Sequence, residues 1–255
     1  MSLENLIKNL IQEGYLKTPL IIEAFEKIDR ADFVPAEIKQ DAYLDTALPI
    51  GHGQTISQPL TVAFMLELLQ PKPGERILDI GTGSGWKAAL LAHCVAKTQT
   101  DLSTSAEHGA GHSADYTQNY AEKSLDGNFS AKSASVQRES AAGIVLSIER
   151  IPALEKMAEK NIAKYNFIEK GVVKIMLGDG SKGAPPELLP VGGFDKIIAG
   201  AAGDEIPAAW KKQLKIGGRI VAPVKNSILV MEKKSKNRFD EKEYYGFSFV
   251  PLVRD

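Results

Sequence analysis

The segment RILDIGTGSGW, residues 76–86, constrains the fold of this chain more than any other stretch. A short apolar run that contains Asp79 leads into three closely spaced glycines, Gly81, Gly83 and Gly85. Glycine allows a tight turn and a close approach of the backbone to a ligand, and a helix that begins there points its N–H groups at the same place. Because the apolar run AALLAHCV follows, the segment predicts a buried strand, a ligand-binding loop and a helix in succession.

The rest of the chain repeats the alternation of strand and helix. Continuous apolar runs typical of strands covered on both faces occupy residues 143–149, 171–179, 194–202 and 217–224. Helical patterns, IPALEKMAEKNIAKY and IPAAWKKQL, lie between them. The sequence therefore predicts an α/β fold with a doubly wound, mostly parallel sheet. At the end of the chain, NSILVMEKK and EYYGFSFVPLV are joined by a charged turn without a helix, which predicts an antiparallel C-terminal edge strand.

Two regions depart from this alternation within one expected domain, residues 1–255. Residues 1–70 predict an N-terminal helical subregion, and 98–141 are rich in Ser, Ala and Gly. The second region has too little apolar surface to offset chain entropy, so it predicts a disordered or weakly ordered insertion. His108 and His112 lie there, but neighbouring glycines and the lack of further ligands at a defined spacing favour no metal site.

Composition limits the partners. A formal net charge of -1 argues against nucleic acid, whose binding domains carry a basic excess. Cys94 is the one cysteine, which excludes an internal disulfide and suits a reducing compartment. The amphipathic N-terminal pattern does not resemble a signal peptide, and no apolar run approaches the roughly 20 residues that cross a bilayer. We expect a cytoplasmic monomer with no nucleic-acid or membrane partner.

Acidic residues end three successive predicted strands. Gly81 and Glu149 lie 68 residues apart, or 24 once the 44 residues of 98–141 are set aside, so Glu149 falls where a carboxylate accepts ribose hydroxyls. Asp179 is placed to receive an exocyclic adenine amine. Asp79 has two interpretations of equal weight: it accepts N–H groups of the glycine loop, or it contacts an amino group of the ligand.

These acids also indicate which cofactor binds. The third glycine falls one residue early for the G-x-G-x-x-G pattern of dinucleotide sites, and acids disfavour a pyrophosphate. S-adenosylmethionine (AdoMet) carries a sulfonium and an ammonium but no phosphate, so an acid-lined crevice suits it. We expect AdoMet as the cofactor.

Several motifs, in this order, resemble the protein-L-isoaspartate O-methyltransferase family: PIGHGQTISQP, LDIGTGSGW, VLSIERIPALEKMAEKN, GDG, FDKIIAGAA and the terminal FVPLV. The resemblance covers nearly everything except residues 98–141, and GHGQTISQP is its most specific part. It implies a Rossmann-like class I methyltransferase fold. It also implies methylation of the α-carboxylate of L-isoaspartyl residues in damaged proteins and peptides, which initiates repair; whether D-aspartyl residues are accepted is left open.

The resemblance implies that PIGHGQTISQP forms a lid and substrate clamp across the AdoMet site, and it implies a role for individual residues. Ser57 takes the position of the family's essential serine, and the remaining implied AdoMet contacts are Thr55, Ile56, Gln58, Gly81, Gly83, Gly85, Glu149, Arg150, Asp179 and Gly180. His52 either contacts the substrate or packs the loop, and Val250 belongs to a segment that helps to hold the substrate peptide.

Chemistry favours a positioning role for Ser57. An isoaspartyl α-carboxylate is already ionised at neutral pH, and no G-x-S-x-G context makes Ser57 a covalent nucleophile. Its hydroxyl is expected to align the reacting groups, and it could also cap the helix that begins at Pro59. Alternatives are a methyltransferase with another acceptor, an AdoMet-binding module without turnover and, less favoured, a NAD-linked oxidoreductase.

Overall fold

The computed structural model describes residues 1–96 and 143–253. The predicted insertion, 98–141, and the histidines within it lie outside the described residues. Among the helices that are described, none is both long enough and apolar enough to cross a membrane.

A seven-stranded sheet forms the centre of the molecule, with the strand order β5-β4-β3-β6-β7-β8-β9. The first five strands in this order run parallel, whereas β8 is antiparallel to β7 and β9 is antiparallel to β8. The predicted doubly wound, mostly parallel sheet is therefore confirmed. The strands are β3 (Arg76–Ile80), β4 (Ile144–Glu149), β5 (Val173–Leu177), β6 (Phe194–Ala199), β7 (Leu214–Val224), β8 (Ser227–Ser235) and β9 (Arg238–Tyr245), and a separate hairpin consists of β1 (Leu48–Gly51) and β2 (Gln54–Ile56).

Helix boundaries follow the capping signals of the sequence. Ser2 accepts a hydrogen bond from the Asn5 N–H at the start of the first helix, and prolines occupy the first turn of three others. The helices are α1 (Leu3–Gln12), α2 (Pro19–Lys27), α3 (Pro59–Leu69), α4 (Trp86–Ala96), α5 (Pro152–Ala163) and α6 (Ala208–Gln213). Short 3-10 helices occupy Arg30–Phe33, Ala36–Asp41, Gly180–Lys182 and Pro186–Leu188.

The two faces of the sheet are covered unequally. Ile77, Val145 and Ile198 belong to a large buried cluster that contains apolar residues of α1 to α5. Leu78 and Ile197 face the other way and join a smaller cluster around Trp210 of the short helix α6. Both faces are buried, which explains why the strands are continuously apolar in sequence.

The C-terminal segment differs from the prediction. Strand β9 is built from the charged stretch that was expected to form the turn, and residues 246–253 leave the sheet. Charged side chains suit an exposed edge strand because they discourage pairing with another sheet. Residues 250–252 then run beside the loop that follows β6, where the Ala202 N–H donates to the Val250 carbonyl at 2.8 Å and the Leu252 N–H donates to the Ala202 carbonyl at 2.7 Å.

Strand order reverses at β3, because the chain continues to β4 on one side and later to β6 on the other. Ligands of open α/β sheets bind outside the carboxyl ends of the strands at such a point. The described residues that flank 97–142 lie at the opposite, amino-terminal end of the strands, where the Gly143 N–H donates to the Val95 carbonyl at 3.1 Å.

Candidate active site

A cavity opens at the carboxyl ends of β3, β4, β5 and β6. Its walls come from the loops that follow these strands, from the β1–β2 hairpin and from the C-terminal segment. The lining residues are 54–57, 62, 80–84, 86, 87, 148–151, 154, 178, 180, 200, 201 and 250–253.

Glu149 at the end of β4 lines the cavity and is only 6% exposed. Its Oε2 accepts the Gly83 N–H at 2.8 Å. Its Oε1 accepts the N–H groups of Arg150 at 2.9 Å and Ile151 at 3.0 Å. The carboxylate thus ties the glycine loop to the end of β4, and it lines the cavity with acceptor capacity left over.

The three glycines have different surroundings. Gly81 and Gly83 line the cavity, both with positive φ, whereas Gly85 does not line it. A Cβ on Gly85 would lie 2.9 Å from Ile162 Cδ1 and 3.2 Å from Ala158 Cα, so this glycine allows α5 to pack closely against the start of α4. The structure therefore shows a packing role for Gly85, and its direct contact with AdoMet stays a prediction.

Asp79 is completely buried, and the residues that line the cavity do not include it. Its Oδ1 pairs with Lys87 Nζ at 2.6 Å, and its Oδ2 accepts the Ser147 hydroxyl at 2.8 Å. Neither oxygen accepts an N–H of the glycine loop among the described residues. The loop-orienting role considered for Asp79 belongs to Glu149, and a contact between Asp79 and a ligand stays a prediction.

Asp179, like Asp79, does not line the cavity although its neighbours do. Gly178 and Gly180 line the cavity, but the Asp179 carboxylate accepts the Ser181 N–H at 2.9 Å and lies 3.5 Å from Lys182 Nζ. Arg150 lines the cavity from an exposed position. The structure thus brings the end of β5 to the site, while the contact of Asp179 with an adenine amine stays a prediction.

Ser57 lies where the cavity meets a second space. Thr55 and Val250 border both spaces, and Gln58 borders the second one. The second space is lined by Ala47, Thr55, Ser57, Gln58, Thr61, Gly200, Ser248, Phe249 and Val250. His52 lies at the exposed tip of the β1–β2 hairpin with a φ of 54° and lines neither space, so its expected substrate contact stays a prediction.

Ser57 does not cap α3. The residue at the cap position is Gln58, which makes no side-chain cap hydrogen bond. Asp45 fulfils this function from a distance, since its Oδ1 accepts the Leu60 N–H at 2.8 Å and its Oδ2 accepts the Gln58 amide at 3.1 Å. The expectation that Ser57 caps the helix is wrong, and its hydroxyl is left for the cavity.

Arg30 binds several backbone carbonyls near the cavity, a role that the sequence did not indicate. Its guanidinium is fully buried and donates to the carbonyls of Ala42, Leu44, Thr46 and Ser57 at 2.7 to 3.1 Å. It also lies 5.4 Å from the ring centroid of Trp86. Burial lowers the pKa of Arg30 to about 10, although the negative charge of Asp45 partly opposes this shift. The guanidinium therefore stays charged at neutral pH. Arg30 therefore fixes the backbone of residues 42–57, which we call the entrance loop.

Trp86 and Cys94 are buried packing residues. Trp86 is 3% exposed, its indole N–H donates to the Ile28 carbonyl at 3.4 Å, and it packs edge-to-face on Phe25, as expected of a packing residue. Cys94 is fully buried in the same cluster. In the described ranges, no three His, Cys, Asp or Glu side chains are grouped so that they could hold a metal ion.

Comparison with known proteins identifies the family. The model of the family protein-L-isoaspartate(D-aspartate) O-methyltransferase matches residues 1–119 and 127–255. The chain belongs to this family. The protein-L-isoaspartate O-methyltransferase of Methanopyrus kandleri is 32% identical over 98% of this chain and 90% of its own length. That of Ignicoccus hospitalis is 35% identical over 98% of this chain and 96% of its own length.

The methyltransferase fold is also found in solved structures. A crystal structure described as a protein-L-isoaspartate O-methyltransferase from Plasmodium falciparum, in complex with S-adenosyl-L-homocysteine, superposes with a TM-score of 0.73. It is 20% identical and covers 100% of both chains, so it supports the fold. This Rossmann-like fold and the motifs of Sequence analysis agree with the family assignment.

Proposed function

We propose that this protein transfers the methyl group of AdoMet to the α-carboxylate of L-isoaspartyl residues in damaged proteins and peptides. The observation that carries the proposal is the position of Ser57 at the junction of two spaces. One is bordered by the glycine loop and Glu149, and the other opens between the entrance loop and the C-terminal segment. Family membership supports the same reaction.

The first space fits AdoMet in its chemistry. A Cβ added to Gly81 would lie 3.9 Å from the Gly200 backbone nitrogen, so two strand ends leave room between them that a side chain would fill. Glu149 presents carboxylate oxygens suited to ribose hydroxyls, and Ile148, Ile151 and Leu154 supply apolar surface. The other residues proposed to contact the cofactor are Thr55, Ile56, Gly83, Arg150 and Gly180, which line the first space. Gln58, Asp79, Gly85 and Asp179 do not line it, and direct contacts from these four residues stay predictions.

When bound, AdoMet supplies a methyl group on a positively charged sulfur. The carboxylate oxygen of the acceptor forms a bond to this carbon while the carbon–sulfur bond breaks, and the products are a methyl ester and S-adenosylhomocysteine. Opposite charges are neutralised, so removal of water favours the step. The Ser57 hydroxyl donates a hydrogen bond to the acceptor carboxylate and so aligns it. Alignment of this kind lowers the activation barrier by several kcal/mol.

The second space suits a peptide segment as acceptor. No charged side chain lies among the lining residues, and the polar ones carry hydroxyl or amide groups: Thr55, Ser57, Gln58, Thr61 and Ser248. Such groups can bond to the peptide backbone regardless of neighbouring sequence, which suits an enzyme that must accept damage at many sites. Val250 borders the acceptor, and His52 reaches it from the hairpin tip when a longer peptide is bound.

A labelling experiment tests the proposal. The protein is incubated with methyl-labelled AdoMet and two peptides that differ only in an Asp or an isoAsp residue. We expect base-labile label on the isoAsp peptide alone. Label on neither peptide, with AdoMet still bound, would instead indicate a binding module, and label on another acceptor would indicate a different methyltransferase. A third peptide with D-Asp extends the assay to the second acceptor that the family description names.

We further propose a monomer that acts in the cytoplasm without nucleic acid or membrane as partner. The single, buried cysteine and the near-neutral net charge support this. We also propose that the segment 98–141 leaves the active site unaffected, because the described chain on either side of it lies at the amino-terminal end of the strands.

A further inference from the structure

The lysine that follows the glycine loop has no role in the mechanism above. Lys87 lines the cavity from the first turn of α4, and its side chain is 11% exposed. Its Nζ lies 2.6 Å from Asp79 Oδ1 and donates to the Ile80 carbonyl at 3.3 Å. An ammonium has three N–H donors, and these are its two partners among the described residues, so one donor is left for a ligand.

The position of Lys87 indicates which part of a ligand it meets. A Cβ added to Gly200, at the end of β6, would lie 3.1 Å from Lys87 Nζ. Glu149 ends β4, on the other side of β3. Neighbouring strands lie about 4.8 Å apart, so the two strand ends are separated by about 10 Å. If Glu149 holds the ribose, as the proposed function requires, the methionyl end of AdoMet extends across β3 towards Lys87.

The charges at this end favour the carboxylate of the methionyl group. Asp79 could attract an ammonium, but it does not line the cavity, and its two oxygens are held by Lys87 and Ser147. Ser147 in turn shares a hydrogen bond with Thr82, with 2.6 Å between the hydroxyl oxygens. This buried chain of partners keeps Asp79 in place and holds Lys87 with its ammonium at the cavity wall. The charge that a ligand meets here is therefore positive.

We propose that Lys87 binds the α-carboxylate of the methionyl group of AdoMet and that Asp79 positions Lys87 for this contact. The inference rests on the proposed function, because it takes the cofactor and its orientation from there. The Lys87–Asp79 pair would then select cofactors whose methionyl group carries its α-carboxylate.

Calorimetric titration with two ligands tests the proposal. S-adenosylhomocysteine carries the carboxylate, and its decarboxylated analogue lacks it. We expect the unmodified protein to bind the first about 10- to 100-fold more tightly, the usual effect of a hydrogen bond between charged groups. In the double variant Asp79→Asn/Lys87→Met, which leaves no unpaired buried charge, the two affinities should agree within about threefold.

Lys182→Met is the matched control. This lysine also lies near an aspartate at a strand end, 3.5 Å from Asp179, but it is 67% exposed and does not line the cavity. Its loss should leave the ratio of the two affinities unchanged. A purely structural role of the Lys87–Asp79 pair would lower both affinities together and preserve the ratio, and that result would overturn the proposal.

A crystal structure of the unmodified protein with S-adenosylhomocysteine decides the question even if the double variant does not fold. The expected result is a carboxylate oxygen within about 3.2 Å of Lys87 Nζ, the usual hydrogen-bond range. A carboxylate on the far side of the cavity from Lys87 would overturn the inference but leave the proposed reaction intact. Failure of the protein to bind S-adenosylhomocysteine at all would overturn the proposed function itself.

Discussion

Glu149 and Ser57 face the same cavity but are held in different ways. The Glu149 carboxylate accepts three backbone N–H groups, from Gly83, Arg150 and Ile151. The Ser57 hydroxyl has no hydrogen-bond partner within residues 1–96 and 143–253, and only its carbonyl is fixed, by Arg30 at 3.1 Å. One side chain is set before any ligand arrives, whereas the other has a fixed backbone and a free hydroxyl.

This difference supports the proposal that Glu149 serves cofactor binding and Ser57 serves catalysis. A carboxylate that is already oriented by its own backbone offers remaining lone pairs to a ligand without reorganisation, which favours affinity. A free hydroxyl on a fixed backbone can rotate to whichever acceptor group arrives, which favours alignment in the reacting complex. The two residues should therefore fail in different ways when they are replaced.

Ser57→Ala should give the largest effect. We expect kcat to fall about 100-fold, because the acceptor carboxylate loses its alignment, while the Kd of S-adenosylhomocysteine changes less than about threefold. Initial rates with an isoAsp peptide and calorimetric titration measure the two quantities. Ser235→Ala, at the exposed end of β8, is a matched control that should change neither. Equal losses in rate and affinity would contradict the division of roles.

Glu149→Ala should show the opposite pattern. Loss of the hydrogen bonds to the ribose and of the tie to Gly83 should weaken S-adenosylhomocysteine binding about 30-fold, or ~2 kcal/mol. At saturating AdoMet, kcat should stay within about threefold of its original value. The exposed Glu159 of α5, replaced by Ala, provides the control. If Glu149→Ala leaves the affinity intact, the carboxylate serves only the loop and the ribose contact is wrong.

Arg30→Lys should have a smaller effect on Ser57 through the entrance loop. A lysine ammonium cannot reach four separate carbonyls, so we expect the free energy of unfolding to fall by about 2 kcal/mol. In the folded protein kcat should decrease about tenfold with cofactor affinity unchanged, because Ser57 is displaced. Denaturant unfolding and initial rates below the melting temperature measure the two effects. Arg238→Lys, at an exposed side chain, is the control, and a folded Arg30→Lys protein with full kcat would show that Arg30 only stabilises the fold.

Local patterns in the sequence were sufficient for much of the fold and part of the site. Continuous apolar runs predicted the parallel strands, and the helix expected to begin at Pro59 is α3, which begins there. Glu149 could be found once 98–141 was set aside, because the acid at the end of the second strand lies at a characteristic distance from the glycine loop. The cavity lining confirms that these strand ends meet.

Errors arose where a residue depends on distant partners. The charged stretch in β9 looked like a turn, but an exposed edge tolerates charges. Asp79 and Glu149 both end strands, yet only the tertiary structure shows that the first pairs with Lys87 and the second holds the glycine loop. Gly200 lines both spaces but lay inside the predicted strand 194–202, whereas β6 ends at Ala199. Arg30 gave no signal, since an isolated arginine in sequence is normally exposed.

The sequence by itself determined the fold class, the alternation of strands and helices along the chain, and the family. Apolar periodicity, turn residues and motif spacing are properties of neighbouring positions. The tertiary structure alone decided which acid reaches the cavity, which residue caps α3 and what holds Ser57 in place. Those outcomes depend on burial and on hydrogen bonds between residues far apart in the chain, as between Asp79 and Ser147. A buried polar group takes whichever partner the packing brings within reach.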